Sequence, residues 1–347
     1  MRRSFVSGSA MNLYPMEIFF GILRSEKEVI EIPKRTPFCG EWGQPLSNHV
    51  IYEDKILTPA KIDMVYASFV ERKFYSIESV LPVETIECHW RKTDENDNES
   101  LFESFVVGMA PFGGTAIWMQ GYRKEILIAW LKAEEIEVDM KDFMPMNPDI
   151  TFNEVCDFYI NRDQCIRENF ANNGLPPRNL FDKYMQQFNY RYLLLFEKWD
   201  ESGYLWHKYG DDDMLPMFEY IEEALYDGTH DKLHDGGLMR YHEAGKPKKL
   251  RIQWHIGKSE YSAYFWFEDE RIRDVFDKFY GAHPDTKTDF IIRIDAEQRK
   301  YELALYRYGL KEPQIIPEDV YQLLVFKNKF EDYRSDNYNQ ERGAWIW

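Results

Sequence analysis

The chain has 347 residues, of which 44% are hydrophobic and 16% aromatic, and 60 acidic against 43 basic side chains give it a formal net charge of -17. That is long enough for two domains, or one large one, and apolar enough for a sizeable core, which excludes general disorder. The negative balance repels phosphate backbones and anionic lipid surfaces, so neither nucleic acid nor a membrane is an expected partner, whereas a basic protein would be steered towards it.

At the N-terminus, Arg2 and Arg3 are followed by Ser7, Gly8, Ser9 and Asn12, which interrupt any apolar run. The expectation is therefore no signal peptide, no transmembrane helix, a poorly ordered first ten residues and a cytoplasmic location. Ile62 to Phe69 and Lys73 to Val80 are rich in β-branched and aromatic residues and read as strands. Ile86 to Trp90 alternates and reads as another, followed by Phe102 to Val107. Thr115 to Met119 and Glu125 to Leu131 form a hairpin around Gly121, in which Ile126 to Leu131 is apolar on both faces, as in a covered central strand.

From Thr151 the pattern turns helical. Thr151-Phe152-Asn153-Glu154 is a capping box, and Asn173-Gly174 ends the helix it starts. A second helix is expected over Leu180 to Lys198, and a third from Pro216 through Phe218, Ile221 and Leu225. Further on, Leu250 to Ile256 and Tyr261 to Phe267 read as a hairpin around Gly257-Lys258. Ile272, Val275, Phe276, Phe279 and Tyr280 trace a helix stopped by Gly281. Phe290 to Ile294 and Lys300 to Tyr308 make a last hairpin, and Pro317 opens a short helix through Val320, Leu323 and Leu324. The expected fold is α+β, with a β-rich antiparallel unit over 1–150, a helical segment over 151–237 and an α+β unit over 238–347. An echo runs between the two β-rich parts. Trp90, a strand and Arg123 to Leu127 follow in the same order as Trp254, a strand and Arg299 to Leu303. Duplication and the general likeness of β-hairpins both account for it.

Cysteine use is sparse: Cys39, Cys88, Cys156 and Cys165 include no Cys-x-x-Cys pair, which fits a reducing compartment. Cys156 and Cys165 fall in one expected helix, too far apart along it to bridge. No phosphate loop, dinucleotide fingerprint or nucleophile elbow is present, and no cofactor is expected. Histidines and carboxylates crowd together only in Asp227 to Gly237. On a helix, His230 and His234 would share a face and, with Asp235, bind a metal, His242 supplying a further ligand. The competing reading is a turn whose side chains bond local amides. Asp211, Asp212 and Asp213, with Glu219, Glu222 and Glu223, suit either a helix start or a basic partner, and Trp206, among Trp199, Tyr204 and Tyr209, suits an aromatic anchor.

Ile62 to Tyr66, Glu71 to Tyr75, Gly108 to Gly113, the Trp118 to Trp130 hairpin and Asp227 to Gly237 together resemble the bacterial domain-of-unknown-function family 2931, over most of the chain. The resemblance supplies no catalytic residues. It implies a role as an immunity protein against toxins delivered by contact-dependent secretion, notably type VI systems. The reading of the whole is an acidic cytoplasmic binding protein, not an enzyme, that occludes a basic toxin or effector. A metal-dependent hydrolase using His230, His234 and Asp235, and a carbohydrate-binding or scaffold protein, remain as alternatives.

Overall fold

The computed structural model describes residues 2–25, 28–34, 40–53, 58–91, 102–121, 124–197, 216–234, 240–257, 259–281, 283, 285–295 and 297–329. The chain divides into two compact units. Unit 1 comprises Met1–Met185 with Asp227–Thr229, and unit 2 comprises Gln186–Tyr226 with His230–Trp347.

Unit 1 contains β1 (Arg2–Ala10), β2 (Met16–Arg24), β3 (Val29–Glu31), β4 (Ser47–Glu53), β5 (Lys61–Ser68), β6 (Lys73–Val80), α1 (Val83–Trp90), β7 (Ser104–Ala110), β8 (Gly114–Gly121), β9 (Lys124–Lys132) and β10 (Glu134–Ile136). They form two five-stranded sheets, ordered β4-β1-β7-β8-β9 and β10-β6-β5-β2-β3. Among the strand pairings of the described residues in unit 1, β1–β7 alone is parallel, and it follows the crossover through α1. Val6, Val107, Ile117 and Met119 from the first sheet meet Ile18, Leu23, Met64 and Tyr66 from the second in one buried core. Past β10 come α2 (Met140–Phe143), α3 (Phe152–Arg162), α4 (Gln164–Asn173) and α5 (Leu180–Tyr184). Phe143, Val155 and Cys156 cover the outward side of the second sheet at Phe69 and Phe74. The Phe74 ring stacks on Phe152 at 4.1 Å and meets Phe143 edge-on at 4.9 Å.

Unit 2 contains β11 (Phe188–Glu197), β12 (Met217–Leu225), β13 (His230–Leu233), β14 (His242–Ala244), β15 (Pro247–Ile256), β16 (Ser259–Phe267), α6 (Asp269–Tyr280), β17 (Thr288–Asp295), β18 (Tyr301–Arg307), β19 (Gln314–Ile316) and β20 (Tyr321–Lys329). Its sheets run β14-β11-β17-β18-β19 and β13-β12-β15-β16-β20. Every strand of unit 1 thus has a counterpart in unit 2 at the same place in chain order and in sheet order, and β11–β17 is again the parallel pair. The bulge repeats as well. β2 skips a residue between Ile18 and Phe20 against β5, and β12 skips one between Phe218 and Tyr220 against β15. In both units the bulge lies beside a buried aromatic residue, Tyr66 or Trp254, paired across its hairpin with Tyr75 or Tyr261. Unit 2 therefore repeats the topology of unit 1. The segments in which the sequence echoes are not structural equivalents, however. Trp90 ends α1 while Trp254 lies in β15, and Lys124 opens β9 while Tyr301 opens β18, the counterpart of β8.

The arrangement is α+β and predominantly antiparallel sheet, but several elements differ from expectation. The first residues form β1, an inner strand between β4 and β7. Ile86 to Trp90 is α1, because five alternating residues also match one face of a short helix, and Ile86 is its buried residue. β9 is an edge strand rather than a central one. Its second face is shielded near α5, where Trp130 Nε1 donates to Asp182 at 2.8 Å and Lys132 pairs with the same carboxylate at 2.7 Å. The Thr151–Glu154 capping box forms as read. Its helix stops at Asp163, which caps α4 through the amides of Cys165 and Ile166, so Cys156 and Cys165 lie on different helices. Leu180 to Lys198 contains only the short α5 before β11, where Phe188, Tyr190 and Tyr192 are buried at every second position. The helix expected from Pro216 is β12. The bulge at Glu219 resets the strand's period, so that Phe218, Ile221 and Leu225 imitate helical spacing. Beyond Pro317 there is a single 3-10 turn, Glu318–Val320, and then β20. Among the described residues no helix is long and apolar enough to cross a membrane.

Candidate binding face on unit 2

Directly opposed residues of an antiparallel sheet share a face, so the pairings assign the surface of β13-β12-β15-β16-β20. Leu250, Ile252, Trp254, Ala263 and Phe265 point into the core. Lys249, Arg251, Gln253 and His255 of β15 point outwards, opposite Trp266, Tyr264, Ser262 and Glu260 of β16. Tyr220 and Glu222 of β12 join this outer face, as do His230 and Lys232 of β13 and Leu324 and Phe326 of β20.

The bulged Glu219 is the hub. Its carboxylate accepts from Gln253 Nε2 at 2.6 Å and lies 2.9 Å from His255 Nε2, and its carbonyl oxygen is 3.1 Å from His234 Nδ1. Gln253 Oε1 accepts from the Tyr220 hydroxyl at 2.6 Å and from Arg251 at 3.0 Å, and Arg251 reaches Glu222 at 3.5 Å. Lys232 sits over the Tyr220 ring at 3.5 Å, and Arg251 lies between the rings of Tyr220 and Tyr264 at 5.4 and 5.3 Å. Burial pushes the Tyr220 phenol up to about 12 despite the opposing pull of Arg251, so it remains a donor at neutral pH. Tyr264 stacks beside Trp266 and meets Phe326 edge-on. Leu324 and Phe326 are 47% and 43% exposed. The face thus combines aromatic rings with both signs of charge, held by mutual hydrogen bonds.

The equivalent face of unit 1 has the opposite character. The bulged residue there is Phe19, packed edge-on against Phe143 of α2, and the counterpart of Glu260 is Phe74. Unit 1 covers this face with its own helices. Among the described residues, no helix of unit 2 lies over the corresponding surface, since α6 packs its apolar side into the core with Phe188, Tyr190 and Phe290.

Of the acidic residues singled out in the sequence, Glu219 and Glu222 lie on this face, while Glu223 turns inwards and is buried, at the position Leu23 occupies in unit 1. It accepts from the Tyr192 hydroxyl, with His242 Nε2 at 3.7 Å. Burial opposes charging His242, but Glu223, the Arg240 carbonyl and Asp231 outweigh it and raise the imidazole above its ordinary 6.5. The resulting stabilisation is complete below the unfolded-state value and is lost as pH rises through the higher folded-state one. The stability advantage of the wild type over Glu223→Gln should therefore be larger at about pH 6 than at about pH 8 in paired denaturant titrations. An advantage that does not change between them would remove His242 from the account.

His230 opens β13 and His234 follows it, so the two lie on extended chain rather than a helix turn. Four residues of extended chain separate their Cα atoms by about 13 Å, against about 6 Å on a helix, so they do not share a helix face. Among the described residues, no group of three or more His, Cys, Asp or Glu side chains is placed to hold a metal. The turn reading holds at Asp227, whose carboxylate accepts from Thr229 N and Oγ1 at 2.9 and 2.7 Å. Asp211, Asp212, Asp213, Asp235, Trp206, Trp199, Tyr204 and Tyr209 lie outside the described residues. Arg251, Gln253, His255 and Tyr264 escaped notice in the sequence. Their signal was the polar alternation of Lys249, Arg251, Gln253 and His255 between core residues of β15.

Four of the five segments that carried the resemblance lie in unit 1, and residues 5–177 match the family model for a protein of unknown function, DUF2931. Residues 5–177 belong to the DUF2931 family. The match spans about half the chain rather than most of it, and Asp227 to Gly237 falls outside it. No curated protein and no solved structure matches the chain. Within the DUF2931 domain, the resembling segments converge on one latch. The Glu71 carboxylate accepts from Ser68 Oγ at 2.7 Å, from the Tyr75 hydroxyl at 2.8 Å and from Phe112 N at 3.0 Å. Tyr66 donates to Gly114 O at 3.3 Å. Arg72 and Phe112 both take positive φ, 58° and 61°. The next residue, Gly113, has φ 74°, and a Cβ there would stand 2.4 Å from the Ala133 carbonyl oxygen, so the turn requires glycine.

Proposed function

We propose that this chain is a cytoplasmic binding protein without catalytic activity, an immunity-type inhibitor that occludes a bacterial toxin, and that unit 2 presents the Glu219–Arg251–Tyr264 face to it. The observation that carries the reading is the contrast at the bulge, Phe19 beneath a helix in unit 1 and Glu219 on a face that no described helix of unit 2 covers. Tyr, Trp and Arg with partly exposed side chains are the residue types that anchor protein interfaces, and rigid cross-strand bonding lowers the entropy lost on binding. The net charge of -17 favours a basic partner, such as an enzyme with a phosphate-binding cleft. The chain's own carboxylates would oppose that cleft, so inhibition is steric and electrostatic, with no bond made or broken.

The test uses the partner captured from the native host. Reversing one rim charge with Glu222→Lys should slow association by about tenfold at low salt, and the deficit should shrink as salt is raised. Tyr264→Ala should instead speed dissociation. Unchanged rates in both variants would move the binding surface elsewhere.

A further inference from the structure

We propose that His242 is a proton-operated clasp between the two sheets of unit 2, closed while its imidazole is protonated and released when the proton leaves. His242 lies on β14 of one sheet and faces Glu223 on β12 of the other. Its Nδ1 stands 3.3 Å from the carbonyl oxygen of Arg240, which can only accept, so Nδ1 carries a hydrogen and donates it. Nε2 is therefore the atom that gains or loses the proton. It is buried without a hydrogen-bond partner among the described residues, 3.7 Å from Glu223 Oε1. In the neutral ring its lone pair is turned towards a carboxylate, and the two repel. One proton converts that contact into an ion pair. The Glu223 side chain is 2% exposed and that of His242 30%, so the carboxylate has little water to turn to while the ring can still exchange its proton with solvent.

Among the described residues, β12 turns Glu223 towards the imidazole, and β13 adds Asp231, directly opposite Glu223 in register. β11 presents the Tyr190 ring at 5.5 Å and the Tyr192 hydroxyl, which donates to Glu223. Glu243, the next residue of β14, is exposed. The scaffold does not require a polar cluster here. By bulge and register, Leu23 and Ile30 of unit 1 hold the positions of Glu223 and Asp231, and both pack in an apolar core. Unit 2 gives up that apolar burial for two carboxylates and a histidine, an exchange that stabilises only while the charges are matched. β13 and β14 are four and three residues long, so a contact that ties them across the sheets weighs heavily in their local stability. Burial opposes the charge on His242, but Glu223, the Arg240 carbonyl and Asp231 outweigh it. The clasp is thus fully closed below the ordinary histidine value and opens as pH rises through the raised one. It is a property of the free chain and holds whatever the outer face binds.

Hydrogen exchange of the full chain, read by mass spectrometry and corrected for the pH dependence of intrinsic exchange, tests the clasp. Peptides covering β13 and β14 should lose protection about fivefold between about pH 6 and about pH 9, the change that one partly exposed ion pair supports, while β15 and β16 keep theirs. His242→Gln places a neutral donor beside Glu223 and should give equal protection at the two pH values. Glu223→Leu with Asp231→Ile, the residue types of unit 1, should do the same. Circular dichroism shows whether each variant is folded, and the wild-type comparison decides even where a variant is not. Wild-type protection that does not change with pH, a loss that persists in folded His242→Gln, or an equal loss in β15 and β16 would each overturn the proposal.

Discussion

Phe74→Glu should melt the helical cover of unit 1, whereas the reciprocal Glu260→Phe should leave unit 2 folded. The two positions are equivalent by register, each being the second residue of the strand that follows the central hairpin. Phe74 is 5% exposed and held between Phe143 and Phe152. Losing such a ring costs about 3–5 kcal/mol. A carboxylate left there without a partner adds several more or takes up a proton. Stability of this size approaches the whole reserve of a small domain, about 5–15 kcal/mol. Hydrogen exchange should therefore collapse towards unprotected rates in α3 and in the β6 amides beneath it. Among the described residues no helix of unit 2 covers Glu260, which leaves room for a ring there. Protection of α3 that survives in Phe74→Glu would mean that the helices are held by something other than this face.

Glu71→Ala should cost unit 1 about 3 kcal/mol, with Glu71→Gln falling between it and the wild type. The carboxylate serves three donors at once, the hydroxyls of Ser68 and Tyr75 and the amide of Phe112. A donor deprived of its acceptor in a part-buried site costs about 1–3 kcal/mol, and the amide of glutamine retains one acceptor oxygen. The carboxylate also holds Phe112 and, through its own turn, Arg72 in the left-handed region, where non-glycine residues cost about 1–3 kcal/mol each. Releasing them should loosen the β5–β6 and β7–β8 turns together. Chemical denaturation of unit 1, followed through Trp118 and Trp130, gives the ranking directly. Equal stabilities for Ala and Gln would show that the bonds are replaceable by water.

Much of the fold was legible where a local rule operates alone. The Thr151 capping box, the Gly281 stop and the hairpins β5–β6, β8–β9, β15–β16 and β17–β18 each depend on residues close in sequence. The misreadings share a different cause. Phe218, Ile221 and Leu225 follow helical spacing only because Glu219 is an extra residue in the ladder, and a bulge is defined by its partner strand β15, about 35 positions later. Leu323 and Leu324 look like a helix face because β20 is an edge with apolar residues on both sides. The echo was aligned on the wrong tryptophans, because several equivalent positions of the two units carry different side chains. Tyr66 against Trp254, Phe74 against Glu260 and Leu23 against Glu223 share no side chain. The candidate face was legible only in its acidic half. Glu219 and Glu222 stood out as charges, whereas Arg251, Gln253 and His255 became a cluster only once β15 was laid beside β12.

The most direct test of the proposed function is a growth experiment with the captured partner. Expressed alone in a host lacking this chain, the partner should arrest growth, and co-expression of the wild-type chain should restore it. Co-expression of a chain carrying Glu219→Arg, Glu222→Lys and Tyr264→Ala, shown by circular dichroism to be folded, should not. Full rescue by that triple variant would contradict the assignment of the unit 2 face, and a partner that is harmless when expressed alone would contradict the inhibitor itself.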